Sequence, residues 1–196
     1  MSEIAQLAWF LSPVILGGVS NMIWVKLPLV RHFNGPMDGG RCFTDGKPLL
    51  GAHKTWLGFG GMILLTAMWM TLFVYITCRL NVADVLQLVD YRRWIWPWEA
   101  MGYGALWGFG YVLFELPNSF VKRRLTIAPG KSGGGFTGLL FTFIDQADSV
   151  VGCLIFMLFF FKPSLNQVVI LFIMGTGIHY IVNILLYLVG LKKQAG

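Results

Sequence analysis

Five stretches of the chain run apolar almost without interruption, at residues 4–25, 57–78, 101–121, 139–161 and 168–191. An α-helix rises 1.5 Å per residue, so crossing about 30 Å of hydrocarbon takes roughly 20 residues, and each stretch meets that length. The pattern predicts an all-α integral membrane protein with five transmembrane helices in one membrane domain, residues 1–196. The fourth stretch also sets its own start. Only 13 uncharged residues follow Asp148 before Lys162, about 20 Å of helix, so the helix is expected to begin ahead of Asp145 and Asp148. Between the second and third stretches, Val82, Val85, Leu86 and Val89 recur at i, i+3, i+4 and i+7, which predicts a short interfacial helix. Trp94, Trp96 and Trp98 then read as an aromatic belt.

The basic residues orient these spans. Five fall in the first connection (Lys26, Arg31, Arg41, Lys47, Lys54), four in the third (Lys122, Arg123, Arg124, Lys131) and two in the tail (Lys192, Lys193), against three in the second and one in the fourth. The positive-inside rule therefore places the N-terminus outside and the C-terminus in the cytoplasm. Residues 26–56 and 122–138 become cytoplasmic functional loops of a multi-pass protein of the cell (inner) membrane.

Composition agrees with lipid as the main solvent, with 56% hydrophobic and only 12% charged residues. The net charge of +6 follows from the orientation bias, so no nucleic-acid partner is expected. Cys42, Cys78 and Cys153 have neither zinc-ligand nor disulfide-framework spacing. The start, MSEIAQ, lacks the basic region of a signal peptide, so the first stretch is expected to be retained as a span.

Against this background the carboxylates at 115, 145 and 148 need an explanation. Asp145 lies six residues inside the fourth stretch and Glu115 six residues inside the third, both roughly 9 Å below the cytoplasmic boundary. An aspartate at mid-membrane costs about 2.5–3.5 kcal/mol, so acids at this level call for partners or a wet cavity. Asp145 and Asp148 stand at i and i+3 on one helical face, the arrangement that lets two carboxylates hold a hard cation together. Pro117 and Asn118 are expected to break or kink the third helix. Lys122, Arg123 and Arg124 sit just above, equally consistent with a membrane-face anchor and with a phosphate-binding layer.

The first connection, 31 residues from Lys26 to Trp56, is longer than a simple link requires, which favours function. Asp38 and Asp45 lie in Asp-Gly turns there. Lys54 is the stronger candidate, because a cation at the start of a helix opposes the dipole and is better explained by an anion nearby. His53 reads as a structural hydrogen-bond donor. "APGKSGGG" is not a P-loop, since Leu125 stands where the motif needs a glycine; its glycines can still form an anion-binding turn.

Three segments, "MDGGRCFTDGKPLLGAHKTWLG", "NSFVKRR" and "DQADSVVG", resemble in that order the CDP-archaeol synthase family, integral membrane cytidylyltransferases related to CDP-diacylglycerol synthases. The resemblance implies that a membrane lipid phosphate attacks the α-phosphate of CTP, giving a CDP-activated lipid and pyrophosphate. The family segments map onto His53, Lys54, Thr55 and Trp56, onto Ser119, Lys122, Arg123 and Arg124, and onto Asp145, Gln146 and Asp148. It implies Mg²⁺ held by Asp145, Asp148 and Glu115. Lys122, Arg123, Arg124 and Lys54 would neutralise phosphate charge, with His53, Thr55, Ser119, Asp38 and Asp45 at the nucleotide. The chain departs from the family at Leu57, where arginine is common, and at Phe114-Glu115, where Gly-Asp is common. Two rival readings remain. A CDP-alcohol phosphotransferase would continue its aspartate pattern, whereas Asp148 precedes Ser149 and no later acid follows. An ion-coupled transporter could use His179 and Asn183, although such a pair is more often a helix-to-helix hydrogen bond, and the charges cluster near one face instead of the midplane.

Overall fold

A computed structural model describes residues 3–79 and 88–191. It is all-α. Among the described residues five long helices follow in order, α1 (Glu3–Trp24), α2 (Trp56–Arg79), α3 (Trp98–Arg124), α4 (Gly135–Phe156) and α5 (Leu165–Leu188). Among the described residues there is no strand, only isolated bridges between Pro36 and Thr55 and between Cys42 and Pro48. The helices α1, α2, α4 with the turn after it, and α5 are long and apolar enough to cross a membrane. The 27-residue α3 has the length, but Glu115 and the terminal basic trio lower its hydropathy.

Aromatic and aliphatic side chains from four elements meet at the centre. Phe10 of α1 lies 4.9 Å, centroid to centroid, from Trp107 of α3, and Leu7, Met62, Met70 and Met157 pack around them. The Trp107 indole is fully buried, and its Nε1 donates to the Cys153 carbonyl at 3.0 Å, which ties α3 to α4. Small residues let the same two helices touch. A Cβ on Gly152 would stand 2.1 Å from the Gly110 carbonyl oxygen, so only glycine permits this backbone-to-backbone approach. One turn beyond it, α3 and α4 present Glu115 and Asp148 to each other. α5 is peripheral, with Leu171, Asn183 and Leu186 buried.

Several sequence-based expectations change here. α3 runs unbroken through Pro117: a proline removes one helical hydrogen bond, and the packing of α3 between α2 and α4 holds the helix across that gap. Because α3 continues to Arg124, the basic trio is helical and not part of a loop. α4 starts at Gly135, ahead of the expected 139 and ahead of both aspartates, as the length argument requires. Trp94 is drawn inward against Tyr91, Tyr103 and Phe160, while Trp96 and Trp98 stay exposed. Of the expected interfacial helix, Val82, Val85 and Leu86 lie outside the described residues, as do Lys192 and Lys193, and Val89 is buried in the core cluster.

Candidate active site

Helical periodicity builds the site. Glu115, Asn118, Ser119 and Lys122 fall at i, i+3, i+4 and i+7 of α3 and share one face; Asp145, Asp148 and Ser149 do the same on α4. The close approach of the two helices sets these faces against each other. The Asn118 amide nitrogen lies 2.7 Å from Asp145 Oδ1 and 2.7 Å from Asp148 Oδ2, so a single side chain bridges the two aspartates. Lys122 Nζ donates to both oxygens of Asp145, at 3.0 and 2.7 Å. Ser132, from the turn before α4, adds a third donor to Asp145 at 3.2 Å. Ser149 Oγ donates to Glu115 Oε1 at 3.0 Å, and its backbone N–H reaches Asp148 Oδ1 at 2.6 Å. Lys54, carried in by the first loop, pairs with Glu115 Oε2.

The first loop is held over this layer by its own carboxylate and by α3. Asp38 accepts from the backbone N–H groups of Gly40, Leu50 and Gly51 at 3.0, 2.9 and 2.9 Å. Burial pushes its carboxyl up, and these backbone donors outweigh that and hold it below the ordinary aspartate range. The turn it shapes puts Gly51, at φ +93°, against Pro129 and Arg123; a side chain there would meet the proline and be conformationally strained. His53 packs over Gly130 in the opposite loop. Thr55 caps α2, its Oγ1 accepting from Gly58 N at 3.2 Å. Asp45 pairs with Arg124. The Arg124 guanidinium lies against the rings of Phe43 and Phe120, at 5.1 and 4.8 Å, which touch each other edge to face, and donates to the carbonyls of Lys47 and Pro48.

The three adjacent basic residues therefore face three environments. Lys122 meets Asp145, Arg124 clasps the first loop, and Arg123, only 5% exposed, has its Nε and one terminal nitrogen buried with no hydrogen-bond partner. A guanidinium in that condition is suited to an oxyanion. Ser119 is half-buried on the α3 face and outside the network. Gln146 turns away, its Oε1 accepting from Asn183 at 2.6 Å. Sequence reasoning missed Asn118, Ser132, Ser149 and Lys47, the last donating to the Arg124 carbonyl at 2.7 Å. Asn118 was legible from its spacing to Glu115 and Lys122, but only if α3 passes through Pro117.

Among the described residues no three His, Cys, Asp or Glu side chains gather closely enough to cage a metal ion. Mg²⁺ does not require one, because it keeps its waters and takes one or two carboxylates together with phosphate oxygens. Asp145 and Asp148 offer hard oxygens within reach of one amide, and the Asn118 Oδ1 beside them is buried with no partner. That donor set, all hard oxygens, fits a divalent cation of the Mg²⁺ type. Glu115 stands in the same layer, with its oxygens on Ser149 and Lys54.

Comparison with known proteins adds independent findings. Residues 4–195 match the family described as CarS-like, CDP-archaeol synthase. The CDP-archaeol synthase of Thermofilum pendens is 31% identical over 192 residues, covering 97% of this chain and 80% of that protein. The CDP-archaeol synthase of Thermococcus kodakarensis is 27% identical over 193 residues, covering 98% and 96%. A solved structure of an intramembrane enzyme for archaeal membrane lipids biosynthesis matches with a TM-score of 0.60 at 20% identity, covering 90% of this chain and 91% of that one. The last likeness concerns the fold alone.

Proposed function

Because this chain belongs to the CDP-archaeol synthase family, and is therefore a CTP-dependent cytidylyltransferase that makes a CDP-activated lipid, we propose a role for each residue of the carboxylate layer in that transfer. An oxygen of the lipid phosphate forms a bond to the α-phosphorus of CTP. The bond from that phosphorus to the bridging oxygen breaks, and its electron pair leaves with pyrophosphate. No general base is needed, since a phosphate monoester loses its second proton at about pH 6 and is already a nucleophile near neutrality.

Asp145 and Asp148 would hold Mg²⁺, with the Asn118 amide keeping the pair in register. When bound, Mg²⁺ polarises the triphosphate and stabilises the charge on departing pyrophosphate. Lys122 and Lys54 stand where they can serve both a carboxylate and a phosphate oxygen, and Arg123 takes a phosphate oxygen on its unpaired nitrogens. Glu115 positions Lys54 and Ser149. Arg124, Asp45 and Asp38 keep the first loop over the nucleotide, while His53, Thr55 and Ser119 line the same side. Positioning and electrostatics then account for most of the acceleration.

The remaining assignments belong to the same reading. All five helices cross the membrane as one domain, α3 among them, with the N-terminus outside and the active site facing the cytoplasm of a cell-membrane protein. The distribution of basic residues supports this orientation. The acceptor is an archaeal-type ether lipid phosphate, with phosphatidic acid a further candidate. The rival readings gain nothing: His179 and Asn183 bond to Tyr111 and Gln146, as a helix-to-helix fastening would.

The observation that carries the proposal is the pairing of Asp145 and Asp148 through one amide, together with a buried guanidinium two of whose nitrogens lack a hydrogen-bond partner. The test supplies purified protein with CTP, Mg²⁺ and a panel of ether and ester lipid phosphates. Release of pyrophosphate with formation of a CDP-lipid is expected. Its absence with every acceptor would reject the reading.

A further inference from the structure

One cavity borders the carboxylate layer without belonging to the nucleotide contacts described above. It measures about 450 Å³ and lies at the start of α4, lined by Lys131, Ser132, Gly133, Gly138, Leu139 and Thr142 among others. Neither Lys54, Lys122 nor Arg123 lines it. Its inner wall connects directly to the chemistry, because Ser132 Oγ donates to Asp145 Oδ2 at 3.2 Å. Its charge comes from Lys131, an exposed ammonium that forms no ion pair among the described residues.

The outer edge is apolar. The lining residue Leu139 is 72% exposed, and Phe136 and Phe143, three residues before it and four after it on the same face of α4, are 82% and 54% exposed; α4 is a helix long and apolar enough to cross a membrane. A water-soluble nucleotide gains nothing from such a rim, whereas an amphiphile can leave its tails there and put its head inside. The two substrates also need separate places, each within reach of Asp145, for an in-line transfer to occur between them.

We propose that this cavity is the acceptor subsite, receiving the phosphate monoester head of a two-tailed lipid on Lys131 and Ser132, with the tails passing outward over Leu139, Phe136 and Phe143. The proposal rests on the transferase reading and adds where its second substrate binds. Lys131 and Ser132 are binding residues here. Ser132, tethered to Asp145, also holds the acceptor oxygen near the metal-binding aspartates.

The experiment uses the full chain in nanodiscs and measures KM for lipid phosphate and for CTP separately, together with equilibrium binding of CTP and of a fluorescent lipid phosphate monoester. Lys131→Glu is expected to raise KM for the lipid at least about tenfold and to weaken binding of the fluorescent lipid in parallel. KM and affinity for CTP should stay within about twofold, and Lys131→Arg should restore much of the loss. Leu139→Trp, which crowds the rim, is expected to impair a two-tailed acceptor more than a short-chain phosphate monoester. If Lys131→Glu instead weakens CTP, the cavity holds the nucleotide and the proposal falls. If neither substrate responds, the cavity is no subsite and the proposal falls as well. Failure of the unsubstituted protein to make any CDP-lipid would overturn the transferase reading on its own, and binding of the fluorescent lipid would still decide the cavity.

Discussion

Both carboxylate oxygens of Asp145 rest on the Lys122 ammonium, at 3.0 and 2.7 Å, across the α3–α4 contact. The Lys122 side chain is 8% exposed and that of Asp145 25%, so each charge leans on the other. Breaking one half of a buried pair leaves an uncompensated charge and costs about 3–5 kcal/mol. Lys122→Met is therefore expected to lower thermal stability by that order and to abolish turnover. Adding Asp145→Asn to it should return part of the stability and none of the activity. Additive losses in detergent melts would show that the two residues do not depend on each other.

Asp148 separates chemistry from folding more cleanly. Asp148→Asn removes a hard anionic ligand from the proposed metal site while keeping the shape of the side chain. Turnover is expected to fall at least about a hundredfold, by loss of charge stabilisation at the triphosphate. The protein should remain monodisperse on gel filtration. Substantial pyrophosphate release from this variant would remove Asp148 from the metal site.

The Asp38 carboxyl, held below the ordinary aspartate range, predicts a pH dependence for the first loop. A depressed carboxyl contributes stability that is complete above its unfolded value of about 3.9 and is lost as the pH falls through the folded value. Protease nicking within residues 26–55 should therefore rise below about pH 4. Asp38→Ala should raise it at neutral pH, at a cost of about 1.5–3 kcal/mol for the lost charged acceptor, and should flatten the acid response. Equal cleavage of both proteins across the range would deny Asp38 this organising role.

At Gly152 the expectation is steric. Any Cβ there meets the Gly110 carbonyl oxygen at 2.1 Å, so Gly152→Val must push α4 from α3. Overpacking costs about 1–3 kcal/mol, and the larger effect should be on kcat, because Asn118 would no longer reach Asp145 and Asp148. A variant with lowered stability and full kcat would show that the site tolerates the displacement.

Asn183 offers the contrasting case. Its Nδ2 donates to Gln146 Oε1 at 2.6 Å, away from the carboxylate layer, and interhelical hydrogen bonds of this kind contribute about 0.6–2 kcal/mol. Asn183→Leu should loosen α5 by that amount and leave kcat within about threefold. A collapse of kcat at unchanged stability would assign Asn183 to the reaction.

The long apolar helices, the start of α4 ahead of its aspartates and the shared face of Asp145 with Asp148 follow from local rules: helix rise against bilayer thickness, and a period of 3.6 residues. Those rules act within one segment, so residue order alone suffices for them. It also suffices to single out Glu115 and the basic trio, because charge within an apolar run is conspicuous. What residue order could not reveal is how adjacent residues divide their work. Lys122, Arg123 and Arg124 look alike along the chain, yet the first meets an aspartate, the second keeps two buried nitrogens without a hydrogen-bond partner, and the third meets a pair of aromatic rings. Those differences arise from what α4 and the first loop place opposite each side chain, and distant segments meet only through tertiary packing. The unbroken passage of α3 through Pro117 was likewise decided there, since contacts with α2 and α4 override a local propensity, and with it came the Asn118 amide between the two aspartates.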